Sequence, residues 1–262
     1  MPLLRHASSY WERVTQRGTL MSGADAASIV LQIQRYFDAS DPADLLSEEW
    51  WHNAILYLGL NDEILGEQPP ELAPYFGGGL GLRIWQYPTQ FAPYMAAFSG
   101  CAQTSISSYL EIGCRHGGTF IAHAEALRRT NPQFTHATAV DLISPGPILS
   151  AYISSDPRLT FVQGDSRHLS FAPHDLVFID GDHSFTGVAT DAEKVNNTAK
   201  FLVFHDISNI ACPGVGAYWA DFKQRAGCTH SFAEFTQQYT TVGATYLGIG
   251  VAARLPSRFL EE

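Results

Sequence analysis

Basic residues are scarce in this sequence. Its 16 lysines and arginines are outnumbered by 26 aspartates and glutamates, which gives a formal net charge of −10. No stretch holds more than two adjacent basic residues. Because so acidic a chain repels phosphate backbones unless its few cations cluster, we do not expect nucleic acid as a partner.

Long apolar runs are missing as well. No segment approaches the roughly 18 consecutive apolar residues of a membrane-spanning helix. Residues 1–13, MPLLRHASSYWER, lack the long apolar region of a signal peptide. We therefore expect a cytoplasmic protein with no membrane partner.

Cysteines are few and widely spaced. The four of them form no Cys-x-x-Cys pair, so neither a thiolate zinc site nor a thioredoxin-like motif is expected. Because free cysteines are usually buried, we expect buried thiols at all four positions, namely Cys101, Cys114, Cys212 and Cys228.

What the sequence does contain is an alternation of strand and helix patterns from residue 82 onward, after a helical N-terminal part. Strands are predicted at 106–112, 135–140, 159–163, 175–179 and 201–204, with a paired set at 241–246 and 247–252. Helices are predicted at 24–37, 48–60, 92–98, 119–129, 187–196 and 216–226. The alternation predicts a doubly wound, mostly parallel α/β sheet.

The N-terminal part is expected to be a distinct extension of that domain. Residues 66–81 (GEQPPELAPYFGGGLG) are rich in glycine and proline and have no periodic pattern, which is typical of a linker or mobile loop. We therefore predict a helical extension over 1–80 and a main domain over 81–262.

A glycine-rich turn follows the first predicted strand, in YLEIGCRHGGTF. The spacing of Gly113, Gly117 and Gly118 differs from the G-x-G-x-x-G dinucleotide fingerprint, and no lysine follows as in a phosphate-binding loop. Glycines permit tight turns and close approach of a ligand to the backbone. A purely structural turn is an equally good interpretation of this motif alone.

Acidic residues follow the second and third strands. Ligands of parallel sheets bind beyond the carboxyl ends of the strands, where Asp141 could accept hydrogen bonds from a ribose diol. Asp165 could accept one from an adenine amino group. Each could alone be a helix cap or a solvated loop residue. Together with Glu111, however, they place acids after three successive strands, which favours a binding site.

The set Glu111-x-Gly113-x-x-x-Gly117-Gly118, Asp141 and Asp165 resembles the class I S-adenosylmethionine-dependent methyltransferases. The later segments VFIDGDHSFTGV, VFHDI and PGVGAYW are similar to the O-methyltransferases grouped with macrocin and rhamnosyl O-methyltransferases and with cephalosporin-hydroxylase-like proteins. The resemblance runs from about residue 82 to the C-terminus. It implies a seven-stranded Rossmann-like sheet.

The resemblance also implies S-adenosylmethionine as the cofactor. Glu111 and Gly113 would line its methionine end, Asp141 would hold the ribose hydroxyls, and Asp165 with Ser166 would meet the adenine. Its sulfonium is a cation, so acid-rich strand ends suit it better than the pyrophosphate of NAD. The implied cofactor set is Glu111, Gly113, Gly117, Gly118, Thr119, Asp141, Leu142, Asp165, Ser166 and Asp180.

A second cluster follows the fourth and fifth strands. The resemblance implies a divalent cation held by Asp180 and Asp206, with His205 in the remaining position. Magnesium prefers oxygen ligands whereas imidazole suits softer metals, so a softer metal, a non-ligating His205 and no metal all stay open. Asp182 or His183 is the candidate base that removes the proton of an acceptor hydroxyl. The alternatives are a turn cap for Asp182 and a hydrogen bond to the cofactor or a loop for His183.

The implied activity is methyl transfer to a hydroxyl oxygen of a small-molecule acceptor such as a sugar or natural product. Gln86 could orient that acceptor, although an aromatic run such as Trp85–Tyr87 ahead of a helix more often belongs to the core. The alternatives are a non-catalytic S-adenosylmethionine-binding partner protein and, less favoured, an NAD-linked oxidoreductase. We also expect a homo-oligomer, for which the aromatic N-terminal section could serve as an interface. That section could equally pack on the main domain of its own chain. The other histidines are expected at the surface or in caps, namely His6, His52, His116, His123, His136, His168, His174 and His230.

Overall fold

A computed structural model describes residues 23–62 and 67–256 of the 262. Its centre is a sheet made of β1 (Ser108–Ile112), β2 (His136–Asp141), β3 (Leu159–Gln163), β4 (Leu176–Ile179), β5 (Phe201–His205), β6 (His230–Phe235) and β7 (Ile249–Arg254). The strand order is β3-β2-β1-β4-β5-β7-β6. Strands β1 to β5 are parallel, and β7 is antiparallel to both β5 and β6. The predicted seven-stranded, mostly parallel Rossmann-like sheet is confirmed.

Helices flank this sheet. In the described residues they are α1 (Gly23–Ala39), α2 (Glu48–Leu58), α3 (Pro88–Ser105), α4 (Gly118–Thr130), α5 (Pro147–Ser155), α6 (Phe185–Val195) and α7 (Pro213–Ala226). Proline starts α3, α5 and α7, where its missing N–H costs nothing. The hydroxyl of Ser184 caps α6 by accepting from the N–H of Gly187 at 3.0 Å. None of the helices within the described ranges is both long and apolar enough to cross a bilayer.

The predicted C-terminal strand pair is wrong in its first member. Residues 241–246 form no strand, and β7 pairs instead with β6, so that His230 lies opposite Arg254 and Phe235 opposite Ile249. The segment HSFAEF gives only a weak strand signal because several of its residues are exposed at the sheet edge. Phe232 fixes the strand by packing edge-on against Trp219 of α7, with the ring centroids 5.6 Å apart.

The N-terminal helices share the hydrophobic core of the sheet. Helix α1 packs against α5, and α2 against α3. One cluster of buried residues runs from Ala26 through Trp51 to Ile249. The predicted linker at 66–81 is tied to this core, since Pro70–Tyr75 forms a short 3₁₀ helix whose Leu72 is buried.

Several smaller predictions are corrected. Cys114 and Cys212 are buried, but Cys101 and Cys228 are exposed. His123, His174 and His230 are buried rather than superficial. His123 tolerates burial because its Nδ1 lies 2.8 Å from the carbonyl oxygen of Thr119 and its Nε2 lies 2.8 Å from the hydroxyl of Tyr94. His6 and Trp11 lie outside the described residues.

Candidate functional site

A cavity of about 560 Å³ opens at the carboxyl ends of the parallel strands. The five strand ends meet there because β1 to β5 run in one direction in adjacent positions. Every residue of the predicted cofactor, metal and catalytic sets lines this cavity, with the exception of Gly117. The candidate residues that we selected as strand-end positions are therefore brought together in space.

The glycine turn allows β1, β4 and α5 to come close together. Gly113 has a φ of +87°, and a Cβ there would lie 2.1 Å from the carbonyl oxygen of Asp180. Gly117 has a φ of +80°, and its Cβ would lie 2.7 Å from Cδ1 of Leu149 in α5. Only glycine fits both positions. Gly113 thus opens the cavity wall, whereas Gly117 serves the packing of the turn against α5.

Glu111 supplies a buried carboxyl at the cavity floor and is only 2% exposed. Burial raises its pKa well above the usual range, although the short hydrogen bond donated by the Tyr109 hydroxyl acts in the opposite direction. The ring of Tyr109 is held in turn by stacking on His123, with the centroids 4.7 Å apart. Burial therefore disfavours the ionised form of Glu111 unless a positive charge lies beside it.

Asp141 is oriented by backbone N–H groups. The N–H of Arg115 donates to its Oδ2 at 2.6 Å, and that of Ile143 donates to its Oδ1 at 3.1 Å. Each oxygen keeps a lone pair for a further donor. Next to it, Leu142 is 66% exposed and offers an apolar surface at the cavity mouth.

Asp165 is engaged by its own neighbour. It accepts the N–H of Arg167 at 2.9 Å and forms a two-point ion pair with the Arg167 guanidinium, with Nη2 2.7 Å from Oδ2. The hydrogen bond from the Arg167 side chain lowers the pKa of Asp165 to about 2. This carboxylate therefore stays ionised and paired at neutral pH.

Two carboxylates and two imidazoles meet at the ends of β4 and β5. Nε2 of His183 lies 3.2 Å from Oδ1 of Asp180 and 3.5 Å from Oδ2 of Asp206. Nδ1 of His205 lies 3.0 Å from Oδ1 of Asp180 and 3.6 Å from Oδ1 of Asp206. Asp206 has a φ of +62°, a strained backbone typical of functional sites.

The charges of this cluster depend on one another. Burial lowers the pKa of His183, but Asp180, Cys212 and Asp206 outweigh it and raise the pKa to about 11. Burial is outweighed in the same way at His205, where Asp180 and Asp206 raise the pKa to about 9. The two imidazoles together hold the pKa of Asp180 below its usual range against the effect of burial. Buried carboxylates need a nearby positive charge, and here protons on the imidazoles supply it.

These residues fit a divalent cation as an alternative source of that charge. Asp180, His205 and Asp206 present ligand atoms within 4.8 Å of one another. Nε2 of His205 is also buried without a hydrogen-bond partner among the residues described. Because the donors are mixed nitrogen and oxygen, they suit Mn²⁺, Fe²⁺ or Zn²⁺ better than Mg²⁺.

Three further residues of the site were missed by sequence reasoning. Nδ2 of Asn209 donates to Oδ1 of Asp206 at 2.9 Å, and Sγ of Cys212 lies 3.2 Å from Nδ1 of His183. Both follow β5 closely, so a wider search after that strand would have found them. Glu67 comes from the N-terminal part, and the side chains of Trp85 and Asn209 hydrogen-bond to it. No local sequence pattern marks it.

Glu67 adds a further carboxyl group to the lining of the cavity. Burial raises its pKa, and the negative charge of Asp206 raises it further. Its position is fixed through the backbone, because the hydroxyl of buried Tyr87 donates to the Glu67 carbonyl oxygen. The N-terminal extension thus contributes to the cavity wall as well as to the core.

A family profile described as a methyltransferase domain matches residues 110–207. The match covers less than half of the chain, from β1 to just after β5, and includes every predicted site residue. Over this stretch the chain is similar to methyltransferase domains. The narrower resemblance to the macrocin and cephalosporin-hydroxylase-like group stays a prediction. No curated protein sequence matches the chain.

Several solved structures of methyltransferases are similar to this one. The O-methyltransferase TomG from Streptomyces achromogenes, solved with SAM, is 15% identical with a TM-score of 0.47 over 80% of this chain and 99% of its own. An O-methyltransferase from Bacillus cereus, solved with SAH, is 12% identical with a TM-score of 0.45 over 79% and 100%. The N-methyltransferase NodS from Bradyrhizobium japonicum is 15% identical with a TM-score of 0.42 over 60% and 91%.

Proposed function

We propose that this protein transfers the methyl group of S-adenosylmethionine to a hydroxyl oxygen of a small-molecule acceptor. The observation that supports this most is the acid at the end of each parallel strand: Glu111, Asp141, Asp165, Asp180 and Asp206 all line one cavity. Several of these charges are balanced by Arg167, His183 and His205, so the carboxyl groups act mainly as hydrogen-bond acceptors for the hydroxyl and amino groups of a nucleoside. A pyrophosphate offers them no hydrogen-bond donor, which favours this donor over NAD.

The donor would lie across the ends of β1, β2 and β3. Glu111 at the cavity floor would ionise beside the positive charge of the methionine portion. The two oxygens of Asp141, already oriented by backbone N–H groups, would accept the ribose hydroxyls. The sulfonium would then lie between Glu111 and the cluster at the ends of β4 and β5.

The acceptor would bind at that cluster. In the reaction its oxygen attacks the methyl carbon in line with sulfur, the carbon–sulfur bond breaks, S-adenosylhomocysteine leaves, and the hydroxyl proton passes to a base. Holding the two reactants in line supplies much of the rate enhancement. Glu67 and Gln86 on the cavity wall can accept hydrogen bonds, which suits a neutral, hydroxyl-rich methyl acceptor such as a sugar or natural product.

We assign the base role to His183 rather than to Asp182. The side chain of His183 is 43% exposed and lines the cavity. Oδ1 of Asp182 instead accepts the N–H of Ser184 at 2.9 Å, and this hydrogen bond lowers the pKa of Asp182, which makes it a weaker base. The Asp182 side chain therefore has the geometry of a turn cap.

His183 must be neutral to accept a proton, so another positive charge must replace the proton that the carboxylates hold on it. A divalent cation held by Asp180, His205 and Asp206 would supply that charge and lower the pKa of a hydroxyl bound to it. His183 would then accept the proton from the acceptor oxygen.

Transfer of a labelled methyl group tests the proposal. The protein is incubated with S-adenosylmethionine carrying a ¹³C methyl and a pool of small hydroxylated metabolites. We expect a new methoxy carbon resonance together with release of S-adenosylhomocysteine. A product with the label on nitrogen, or binding of the cofactor with no transfer, would contradict oxygen transfer.

The His183→Ala variant tests the assigned base. It should bind S-adenosylhomocysteine as the wild type does but lose about 100-fold or more in turnover. His52→Ala on α2, which does not line the cavity, is the matched control and should leave both unchanged. Equal losses of binding and turnover would refute the base assignment.

A further inference from the structure

Asp191 is a buried carboxyl that the proposed mechanism leaves unused. It lies on α6, is 1% exposed and lines the cavity. Neither of its side-chain oxygens completes a hydrogen bond of normal geometry within the described part of the chain. Because an unsatisfied buried polar group destabilises the fold, its retention here calls for an explanation.

The position of Asp191 places it at the β3 side of the cavity. A Cβ at Gly181 would lie 3.2 Å from Oδ2 of Asp191, and the Ser166 hydroxyl interacts with the same carboxyl. Gly187, one helical turn earlier on the same face of α6, also lines the cavity, and its lack of a side chain makes room for Asp182, whose Cγ would lie 2.3 Å from a Cβ there. Lys194 ties α6 to the loop after β3 by donating to the carbonyl oxygens of Ser166 and Leu169.

The residue expected to meet an adenine amino group is Asp165, but its two oxygens are already bound to Arg167 at 2.7–3.0 Å. Using Asp165 would require breaking that ion pair. Asp191 lies beside Ser166 at the same end of the cavity, and its contact with that hydroxyl falls short of normal hydrogen-bond geometry at both carboxyl oxygens. An amino group could donate a hydrogen bond to the Asp191 carboxyl without any ion pair being broken.

We propose that Asp191 recognises the adenine base of the cofactor by accepting a hydrogen bond from its exocyclic amino group. The inference rests on the proposed use of S-adenosylmethionine. Burial raises the pKa of Asp191, and the charges of Asp182 and Asp165 raise it further. A protonated carboxyl can donate to ring nitrogen N1 while its other oxygen accepts from the amino group, which matches the edge of adenine at two points.

The test is a calorimetric titration with S-adenosylhomocysteine and with its analogue that lacks the 6-amino group. The wild type should bind the adenine form about 10- to 100-fold more tightly, since a buried carboxyl left without its donor is costly. Asp191→Leu should remove this preference, and Asp191→Asn, which keeps an acceptor oxygen, should restore most of it. Glu193→Gln, an exposed position on the same helix that does not line the cavity, is the matched control and should keep the wild-type preference. Asp165→Asn tests the competing assignment of the adenine contact, and we expect the preference to persist in it.

The outcomes separate the possible roles of Asp191. If Asp191 only shapes the loop, Asp191→Leu weakens both ligands equally and the preference persists, which overturns the inference. Loss of the preference in Asp165→Asn overturns it as well. Equal binding of the two ligands by the wild type overturns it without any variant, even if Asp191→Leu fails to fold. If the wild type binds neither ligand, the proposed function fails and this inference fails with it.

Discussion

Alanine at Gly113 should destabilise the protein by an amount that the structure defines. The backbone at this position has a φ of +87°, which costs a residue with a side chain about 1–2 kcal/mol. The added Cβ would also lie 2.1 Å from the carbonyl oxygen of Asp180 and 2.8 Å from Cα of Gly181. Such overpacking typically costs a further 1–3 kcal/mol or so.

The free energy of unfolding of Gly113→Ala should therefore fall by about 2–5 kcal/mol, a large part of the roughly 5–15 kcal/mol typical of a whole domain. The turn and the loop after β4 must move apart by about 1 Å to relieve the contact. Because that loop carries Asp180 and His183, affinity for S-adenosylhomocysteine should fall as well.

Urea unfolding and calorimetric binding measure the two effects. The matched control is Gly146→Ala, because a Cβ at that position meets nothing within 4 Å and its φ of −65° suits any residue. The control should stay within about 0.5 kcal/mol of the wild type or gain slightly. If Gly113→Ala were as stable as this control and bound the ligand normally, the close approach of β1 to the β4 loop would be refuted.

Three further predictions concern protons, metal and packing. Because burial raises the pKa of Glu111, binding of S-adenosylhomocysteine should strengthen as pH rises and should release up to about one proton. Calorimetry in buffers of different ionisation enthalpy measures this proton release, which Glu111→Gln should abolish. If the wild type released no proton on binding, the assigned role of Glu111 would be wrong. Affinity for Mn²⁺, measured by electron paramagnetic resonance, should rise as pH approaches 9, where His205 loses its proton. The same affinity should fall about 10- to 100-fold in Asp206→Asn. An Mn²⁺ affinity that does not change with pH would argue against these ligands. Tyr152→Phe removes the 2.8 Å hydrogen bond to buried Glu125 and should lower the free energy of unfolding by about 1–3 kcal/mol, so unchanged urea unfolding would count against that bond.

The parallel strands could be predicted from sequence because the pattern that marks each strand lies within its own few residues. β1, β4 and β5 are short, largely buried strands, and β2 alternates buried alanines with half-buried polar residues, so that both patterns stand out between helical segments. Strand β6 could not be predicted because its pairing with β7 depends on a contact of Phe232 with Trp219, which lies in a different element. Helix α5 was missed because its nine residues give a short pattern behind a proline.

The residues of the candidate site likewise fall into those that the sequence marks and those that only the fold brings to the cavity. Residues directly after strands, such as Asp141 and Asp180, are marked by their position in the sequence. Glu67 is placed by distant groups, the Tyr87 hydroxyl and the side chains of Trp85 and Asn209, and its own segment gives no signal. Asp191 is likewise an ordinary polar residue of a helix until the fold brings it to the cavity.

The assignment of the donor is checked by calorimetric titration of the purified protein with S-adenosylhomocysteine and, under the same conditions, with NAD. We expect saturable binding of S-adenosylhomocysteine, weakened about tenfold or more in Asp141→Ala, and no binding of NAD. Binding of NAD in preference, or equal binding of S-adenosylhomocysteine by wild type and Asp141→Ala, would contradict it.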